Sequence, residues 1–114
     1  MIAVIFEVWP RPEHKSAYLD LAAVMRKELE GIEGFISVER FDSITEQGKM
    51  LSLSFFENQE SVMQWRNTLA HRKAQTMGKE KYFADYRLRI AEVQRDYGPT
   101  DRHQAPEDSR AIHG

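Results

Sequence analysis

Residues 35–56 have the sequence FISVERFDSITEQGKMLSLSFF, which predicts the part of the fold on which the rest depends. Residues 35–43 and 50–56 alternate in polarity and are rich in β-branched and aromatic side chains, as β-strands are. Residues 44–48, ITEQG, have the composition of a turn. Two strands joined by a short polar loop predict an antiparallel hairpin.

A strand and a helix precede this hairpin. Residues 2–9, IAVIFEVW, predict a strand that ends at Pro10, and both of its faces are largely apolar, so we expect it at the centre of a sheet. Pro12 suits the start of a helix. The apolar residues that follow recur at helical spacing: Tyr18, Leu21, Ala22, Met25, Leu29 and Ile32. Gly31 and Gly34 end this helix, and we expect one of them in a left-handed conformation.

A second helix and a last strand follow the hairpin. Asn58 and, as a weaker alternative, Ser61 are the candidate N-caps of a helix that contains residues 62–65, VMQW. We expect this helix to break near residues 68–70 and to resume over residues 71–81. Residues 85–97 alternate again and predict the last strand.

The resulting order is β-α-β-β-α-β, which predicts an α+β, ferredoxin-like domain. Its four-stranded antiparallel sheet carries two helices on one face. We place this domain at residues 1–97. Residues 98–114, GPTDRHQAPEDSRAIHG, lack a hydrophobic period and predict a polar C-terminal tail that is either disordered or draped over a neighbour.

Composition limits the function. The formal net charge of −2 provides no broad basic field for nucleic acid, and the absence of cysteine excludes thiolate metal sites and a cysteine nucleophile. No His and carboxylate pattern has metal-binding spacing. No apolar run approaches the ~18 residues of a membrane span, and the N-terminus lacks the features of a signal peptide, so we expect a cytoplasmic protein.

Two helices cover only one face of a four-stranded sheet, yet both faces of the predicted strands carry large apolar side chains. A monomer rarely exposes such a face. We therefore expect a homodimer whose two sheets close into a barrel. The alternative is that the tail or the long last strand covers this face within one chain.

Four segments of residues 1 to about 97 give the chain its resemblance to a known superfamily: AVIFEVWP (3–10), GIEGFISVERF (31–41), LSLSFFE (51–57) and WRNTLAH (65–71). The chain resembles the antibiotic biosynthesis monooxygenase superfamily. The resemblance implies a dimeric α/β barrel. Some members oxidise polycyclic phenols to quinones without metal or flavin, some degrade haem, one group isomerises a signalling sugar phosphate, and many have no assigned activity.

The same resemblance bears on haem. Trp65 matches the helix tryptophan of the haem-degrading members, and His71 matches a histidine found at that spacing in some of them. The proximal haem ligand of the better-known haem degraders would fall at Gln75, and glutamine is a poor iron ligand. Those enzymes also have an asparagine on the first strand, where this chain has Glu7 or its neighbours. We therefore expect no cofactor, and haem is possible but disfavoured.

The candidate catalytic residues are His71, Trp65 and Asn67. A neutral imidazole at His71 suits proton abstraction from a phenol. The Trp65 indole suits stacking on a flat substrate, and Asn67 is a candidate donor to an oxyanion. Structural alternatives stay open, because Trp65 is equally suited to the core and His71 to a capping or interface hydrogen bond.

The candidate substrate-binding residues are Arg66, Gln75, Phe55 and Ser54. A guanidinium can bind an enolate or carboxylate, although such arginines more often form surface ion pairs. Ser52 and Ser54 are candidate ligand donors on an apolar strand, or else small residues that make room for helix packing.

The leading functional hypothesis is a cofactor-independent monooxygenase that oxidises a small aromatic, phenolic or quinol substrate with O₂. We expect its substrate between the sheet and the two helices. The alternative is a non-catalytic dimeric module that binds a small ligand or is associated with stress, and haem degradation is the third possibility. The size of the cavity discriminates the first two, because an apolar void of a few hundred Å³ at Trp65 and His71 favours an enzyme.

Overall fold

The computed structural model describes residues 1–68, 72–73, 76–77 and 81–114. In chain order its elements are β1 (Ile2–Pro10), a 3-10 turn (Pro12–His14), α1 (Lys15–Glu30), β2 (Phe35–Asp42), β3 (Met50–Phe56), α2 (Gln59–Arg66), β4 (Phe83–Glu92) and α3 (Glu107–His113). The predicted helix over residues 71–81 lies mostly outside the described residues.

The four strands form one antiparallel sheet in the order β2-β3-β1-β4. The predicted hairpin is its β2-β3 pair, and the predicted central strand is β1, which pairs with both β3 and β4. This topology confirms the ferredoxin-like fold class. The predicted last strand is shifted, since β4 begins at Phe83 and ends at Glu92.

The turns that place the helices follow from local sequence. The left-handed glycine after α1 is Gly34, with φ of 89°, whereas Gly31 has a right-handed conformation. Asn58 is the N-cap of α2, and its Oδ1 accepts hydrogen bonds from Ser61 N and Ser61 Oγ, both at 2.9 Å. Because this cap fixes the first turn, α2 begins at Gln59 and directs Val62 and Trp65 to the sheet.

The core lies between the sheet and the pair α1 and α2, in two clusters of buried residues. The first cluster contains Ile2, Leu29, Val38, Phe56, Val62 and Trp65. The second contains Val8, Tyr18 and Met50, with Phe6, Tyr82 and Phe83 packed against it. Both helices therefore cover the same face of the sheet, as predicted.

The other face of the sheet is open. By the period of two, this face carries Ala3 and Ile5 of β1 and Leu51, Leu53 and Phe55 of β3, which form an apolar centre that we name the open face. Glu7, on the same face, forms ion pairs with Lys49 at 2.6 Å and with Arg89.

The C-terminal segment differs from the predicted tail because it contains α3. Acidic residues in the first turn of this helix and basic residues in its last turn both favour the helix dipole. Arg102 forms hydrogen bonds to two residues of this helical end. Its Nε donates to Gly114 O at 2.6 Å, and its Nη2 donates to Ser109 Oγ at 2.7 Å. The domain boundary at residue 97 stays a prediction.

Candidate functional site

A cavity of about 320 Å³ lies between the helices and the sheet. Its roof is formed by α1, whose residues Leu21, Met25 and Leu29 recur every four positions and so share one face of the helix. These side chains make the roof apolar. The cavity therefore suits the body of an apolar ligand.

Two small residues form the floor. Ser52 and Ser54 of β3 lie opposite Phe6 and Val4 of β1, and all four side chains line the cavity. A serine on a strand that faces a helix leaves space that a leucine would fill. The alternation of β3 thus creates the void at the centre of the sheet.

Aromatic side chains close one end. The Tyr18 ring meets the Phe83 ring edge-on with centroids 5.1 Å apart, and Phe6 lies 5.6 Å from Phe83 and 5.9 Å from Tyr86. All four rings line the cavity. Rings in contact at such angles attract one another and hold this wall in place.

The polar lining is concentrated near Arg40 of β2 and Tyr18 of α1. Burial raises the pKa of the Tyr18 phenol, and the neighbouring Arg40 guanidinium opposes this effect without cancelling it. The Tyr18 hydroxyl is therefore protonated at neutral pH and can donate a hydrogen bond.

Trp65 of α2 is both a core residue and a cavity-lining residue. It is 7% exposed and belongs to the first core cluster, and it also lines the cavity. Its neighbour Arg66, at the C-terminal end of α2, is exposed and reaches the edge of the same cavity.

The predicted site residues divide into three groups. Trp65, Arg66 and Ser54 line the cavity. Asn67 and Phe55 do not: Asn67 Oδ1 accepts a hydrogen bond from Arg72 Nη2 at 3.0 Å on the exposed surface, and Phe55 lies on the open face opposite Ala3.

His71 and Gln75, the remaining members of the predicted set, lie outside the described residues. Their assigned roles stay predictions.

Sequence reasoning missed the residues that give the cavity its polar and aromatic ends. Tyr18 was predicted only as part of the apolar face of α1, and Arg40 was given no role in the site. The sequence contained one signal for each residue. Tyr18 has a hydroxyl within the apolar face of α1, and Arg40 lies two residues after the buried Val38 and so on the same face of β2.

A second charged feature lies on the open face. Hydrogen bonds to Lys49 and then to Arg89, together with their charges, hold the pKa of the Glu7 carboxyl below its usual range. The carboxylate therefore stays ionised between its two cations at neutral pH. The Lys49 ammonium also lies 5.1 Å from the centre of the Trp9 ring.

Two kinds of feature are absent from the described residues, a metal-binding cluster and a membrane-spanning helix. Over residues 1–68, 72–73, 76–77 and 81–114, no group of three or more His, Cys, Asp and Glu side chains is arranged to hold a metal ion. Within the same ranges, no helix has both the length and the apolar character needed to cross a membrane.

The chain is thus of the α+β class, with a ferredoxin-like sheet and an apolar cavity under its helices. Within this class, the family described as antibiotic biosynthesis monooxygenase matches residues 1–77, more than half of the chain, and the chain belongs to that family. Its resemblance to this group is therefore confirmed.

Two curated relatives match most of the chain. A protein of Pyricularia oryzae named jasmonate monooxygenase is 42% identical over 93 residues, which are 82% of this chain and 43% of that protein. The chain thus spans less than half the length of that relative. The protein YqjZ of Bacillus subtilis is 28% identical over 94 residues, 82% of this chain and 79% of its own.

Solved structures share the fold. A putative antibiotic biosynthesis monooxygenase from Deinococcus radiodurans has a TM-score of 0.77 at 12% identity, covering 86% of this chain and 97% of its own. Another from Nitrosomonas europaea has a TM-score of 0.72 at 8% identity, covering 82% and 98%. At these identities the likeness concerns the fold alone.

Proposed function

We propose that this protein is a cofactor-independent monooxygenase that oxidises a small, electron-rich aromatic, phenolic or quinol compound with O₂. The observation that carries this proposal is the largely apolar cavity of about 320 Å³ beside Trp65. Ligand sites in proteins are typically about 300–1,000 Å³, lined by apolar and aromatic groups with a few polar ones. A side-chain-filled interior would have favoured the non-catalytic alternative.

Family membership and the Pyricularia oryzae relative named as a monooxygenase both support oxygen chemistry. Because the chain spans less than half of that relative, the reaction and its substrate are proposals for this chain.

The proposed reaction balances without an added reductant. A phenol transfers its proton to the His71 imidazole, and the resulting phenolate passes one electron to O₂, which gives a substrate radical and superoxide. These two combine to a peroxide at ring carbon. The His71 imidazolium returns its proton to this peroxide, and loss of the remaining ring hydrogen with the outer OH as water leaves a quinone, so one oxygen atom of O₂ enters the product and the other enters water.

The chain supplies binding, proton removal and exclusion of water. Trp65, Phe6 and Phe83 line the cavity and would hold an aromatic ring. We propose Arg66, rather than Asn67, as the hydrogen-bond donor to the developing oxyanion. Arg66 lines the cavity, whereas Asn67 does not.

The proposal includes a homodimer formed through the open face. Ile5, Leu51, Leu53 and Phe55 are partly exposed at the centre of that face, and pairing with a second sheet would remove them from water. The Glu7 ion pairs with Lys49 and Arg89 lie on the same face and would be enclosed with it.

Oxygen uptake with a panel of phenols and hydroquinones tests the reaction. The wild type should consume O₂ with at least one compound, and His71→Ala should be slower by about 10²–10⁴-fold if its imidazole is the general base. His103→Ala is the matched control, since His103 lies in the exposed C-terminal segment. Equal rates in wild type and His71→Ala would remove His71 from the mechanism. Ligand binding without any oxygen uptake would favour the non-catalytic module.

A further inference from the structure

Arg40 is a cation placed under the helices of an otherwise apolar core. Strand β2 pairs Arg40 with Ser52 of β3, and Ser52 lies opposite Phe6 of β1 on its other side. All three side chains line the cavity, so the guanidinium belongs to the layer between sheet and helices.

Within the described part of the chain, this guanidinium has no carboxylate partner. The ion pairs there join Lys15 to Asp42 and both Lys49 and Arg89 to Glu7. The Arg40 Nε is buried and has no hydrogen-bond acceptor. An arginine cannot lose its charge in a protein, and an unsatisfied buried donor is unfavourable. A ligand anion in the cavity would compensate the charge of this guanidinium.

The neighbours of Arg40 are also donors. The Tyr18 oxygen accepts a hydrogen bond from the Arg40 guanidinium, and its O–H, whose pKa burial raises, is left to donate to a ligand. Ser52 adds a hydroxyl from the floor. Three donor-bearing groups on one side of an apolar cavity match an anionic oxygen group better than a neutral one.

Most of the remaining lining is hydrocarbon. It includes Leu21, Met25 and Leu29 of α1 and Leu88 of β4. A ligand that satisfies both parts has an apolar body and a single anionic group at one end. A guanidinium can bind the two oxygens of a carboxylate through two parallel N–H donors.

We propose that the substrate of this cavity is a small apolar carboxylic acid whose carboxylate is bound by Arg40 with help from Tyr18 and Ser52. The oxidisable part of the molecule would then lie towards Trp65, which also lines the cavity. This assignment rests on the proposed function for the reaction, but the binding step requires no turnover.

Calorimetric titration under nitrogen tests the carboxylate directly. The probes are matched pairs of equal shape, 4-phenylbutyrate with 4-phenylbutyramide and octanoate with octanamide, at pH 7. We expect the wild type to bind each acid at least tenfold more tightly than its amide. Arg40→Gln should abolish the preference by weakening the acid alone, and Arg40→Lys should retain part of it because the charge remains. The matched control Arg26→Gln, at an exposed position of α1, should behave as the wild type.

Arg40→Gln is folded if its affinity for the amide and its far-ultraviolet circular dichroism match those of the wild type. If Arg40→Gln does not fold, the acid preference of Arg40→Lys is measured in its place. The proposal is overturned if the wild type binds acid and amide equally or binds neither. It is also overturned if the preference survives in Arg40→Gln, or if Arg66→Gln removes it instead. A preserved acid preference without oxygen uptake for any carboxylated phenol overturns the monooxygenase proposal alone. Oxygen uptake without acid preference overturns the carboxylate proposal alone.

Discussion

Arg40 of β2 lies opposite Ser52 of β3, and both side chains line the cavity under the helices. The same row of the sheet continues through Phe6 of β1 to Leu88 of β4. Polarity therefore falls across the row, from a guanidinium at one edge through a hydroxyl to hydrocarbon. The cavity has one end suited to an anion and another suited to an apolar group.

Trp65→Ala should destabilise the protein by about 3–5 kcal/mol, because the indole is 7% exposed and its loss leaves a void in the first core cluster. Trp65→Phe should cost less, since a ring remains. Urea denaturation at fixed protein concentration measures both changes. Met63→Ala, at a 59% exposed position of the same helix, should stay within about 0.5 kcal/mol of the wild type. A loss below about 1 kcal/mol in Trp65→Ala would show that the indole is not a core residue.

Gly34→Ala should destabilise the protein more than Gly48→Ala. Both glycines have left-handed φ, 89° and 86°, so either substitution should cost about 1–2 kcal/mol in backbone strain. Only at Gly34 would the new Cβ also lie 2.0 Å from Ser61 Oγ, whereas nothing lies within 4 Å at Gly48. The clash displaces the first turn of α2. Urea midpoints compare the two variants, and equal losses would contradict the close approach of Gly34 to Ser61.

The fold was largely predictable because its signals are local. Alternation marked β2 and β3, Asn58 marked the start of α2, and proline marked the end of β1. The ends of β4 were less predictable, since Phe83 precedes the alternating residues and belongs to the strand through pairing with Pro10. The helix α3 was missed because its stabilisation comes from Arg102 and end charges rather than from a hydrophobic period.

The cavity was harder to predict than the fold. The location of the cavity and the presence of Trp65 in its lining were predicted from the sequence. The role of Arg40 depends on which face of β2 meets the helices and on the absence of a nearby carboxylate among the described residues. Phe55 illustrates the same difficulty. Adjacent residues of β3 point to opposite faces of the sheet, so Ser54 faces the cavity and Phe55 faces the open face.

Glu7→Gln should lower stability at neutral pH, because two cations would lose their carboxylate. The pKa of Glu7 is lower in the folded protein than its usual value, so its contribution is present above the unfolded pKa and is lost as pH falls through the folded pKa. Urea midpoints of wild type and variant should therefore differ at about pH 7 and converge as pH falls through the folded pKa of Glu7. Asp20→Asn, on the exposed side of α1, is the control. A difference that grows on acidification would contradict the lowered pKa.

Leu53→Glu should convert the proposed dimer to a monomer, because a carboxylate at the centre of the open face is costly to bury without a partner. Sedimentation velocity should give twice the mass of one chain for the wild type and one chain mass for the variant. Val24→Glu, at a 58% exposed position of α1, should leave the dimer intact. A monomeric wild type would refute the proposed use of the open face.

The measurement that tests the account most directly is incorporation of ¹⁸O from ¹⁸O₂ into product, in wild type, Ser54→Leu and Ser16→Leu. Leucine at Ser54 would occupy the floor of the cavity, whereas Ser16 lies at an exposed position of α1. If the cavity is the reaction site, wild type and Ser16→Leu incorporate one labelled atom per product molecule, and Ser54→Leu loses at least about tenfold in rate while remaining folded. Equal rates of label incorporation in all three proteins would contradict a reaction in this cavity, and no incorporation with any phenol would contradict the monooxygenase itself.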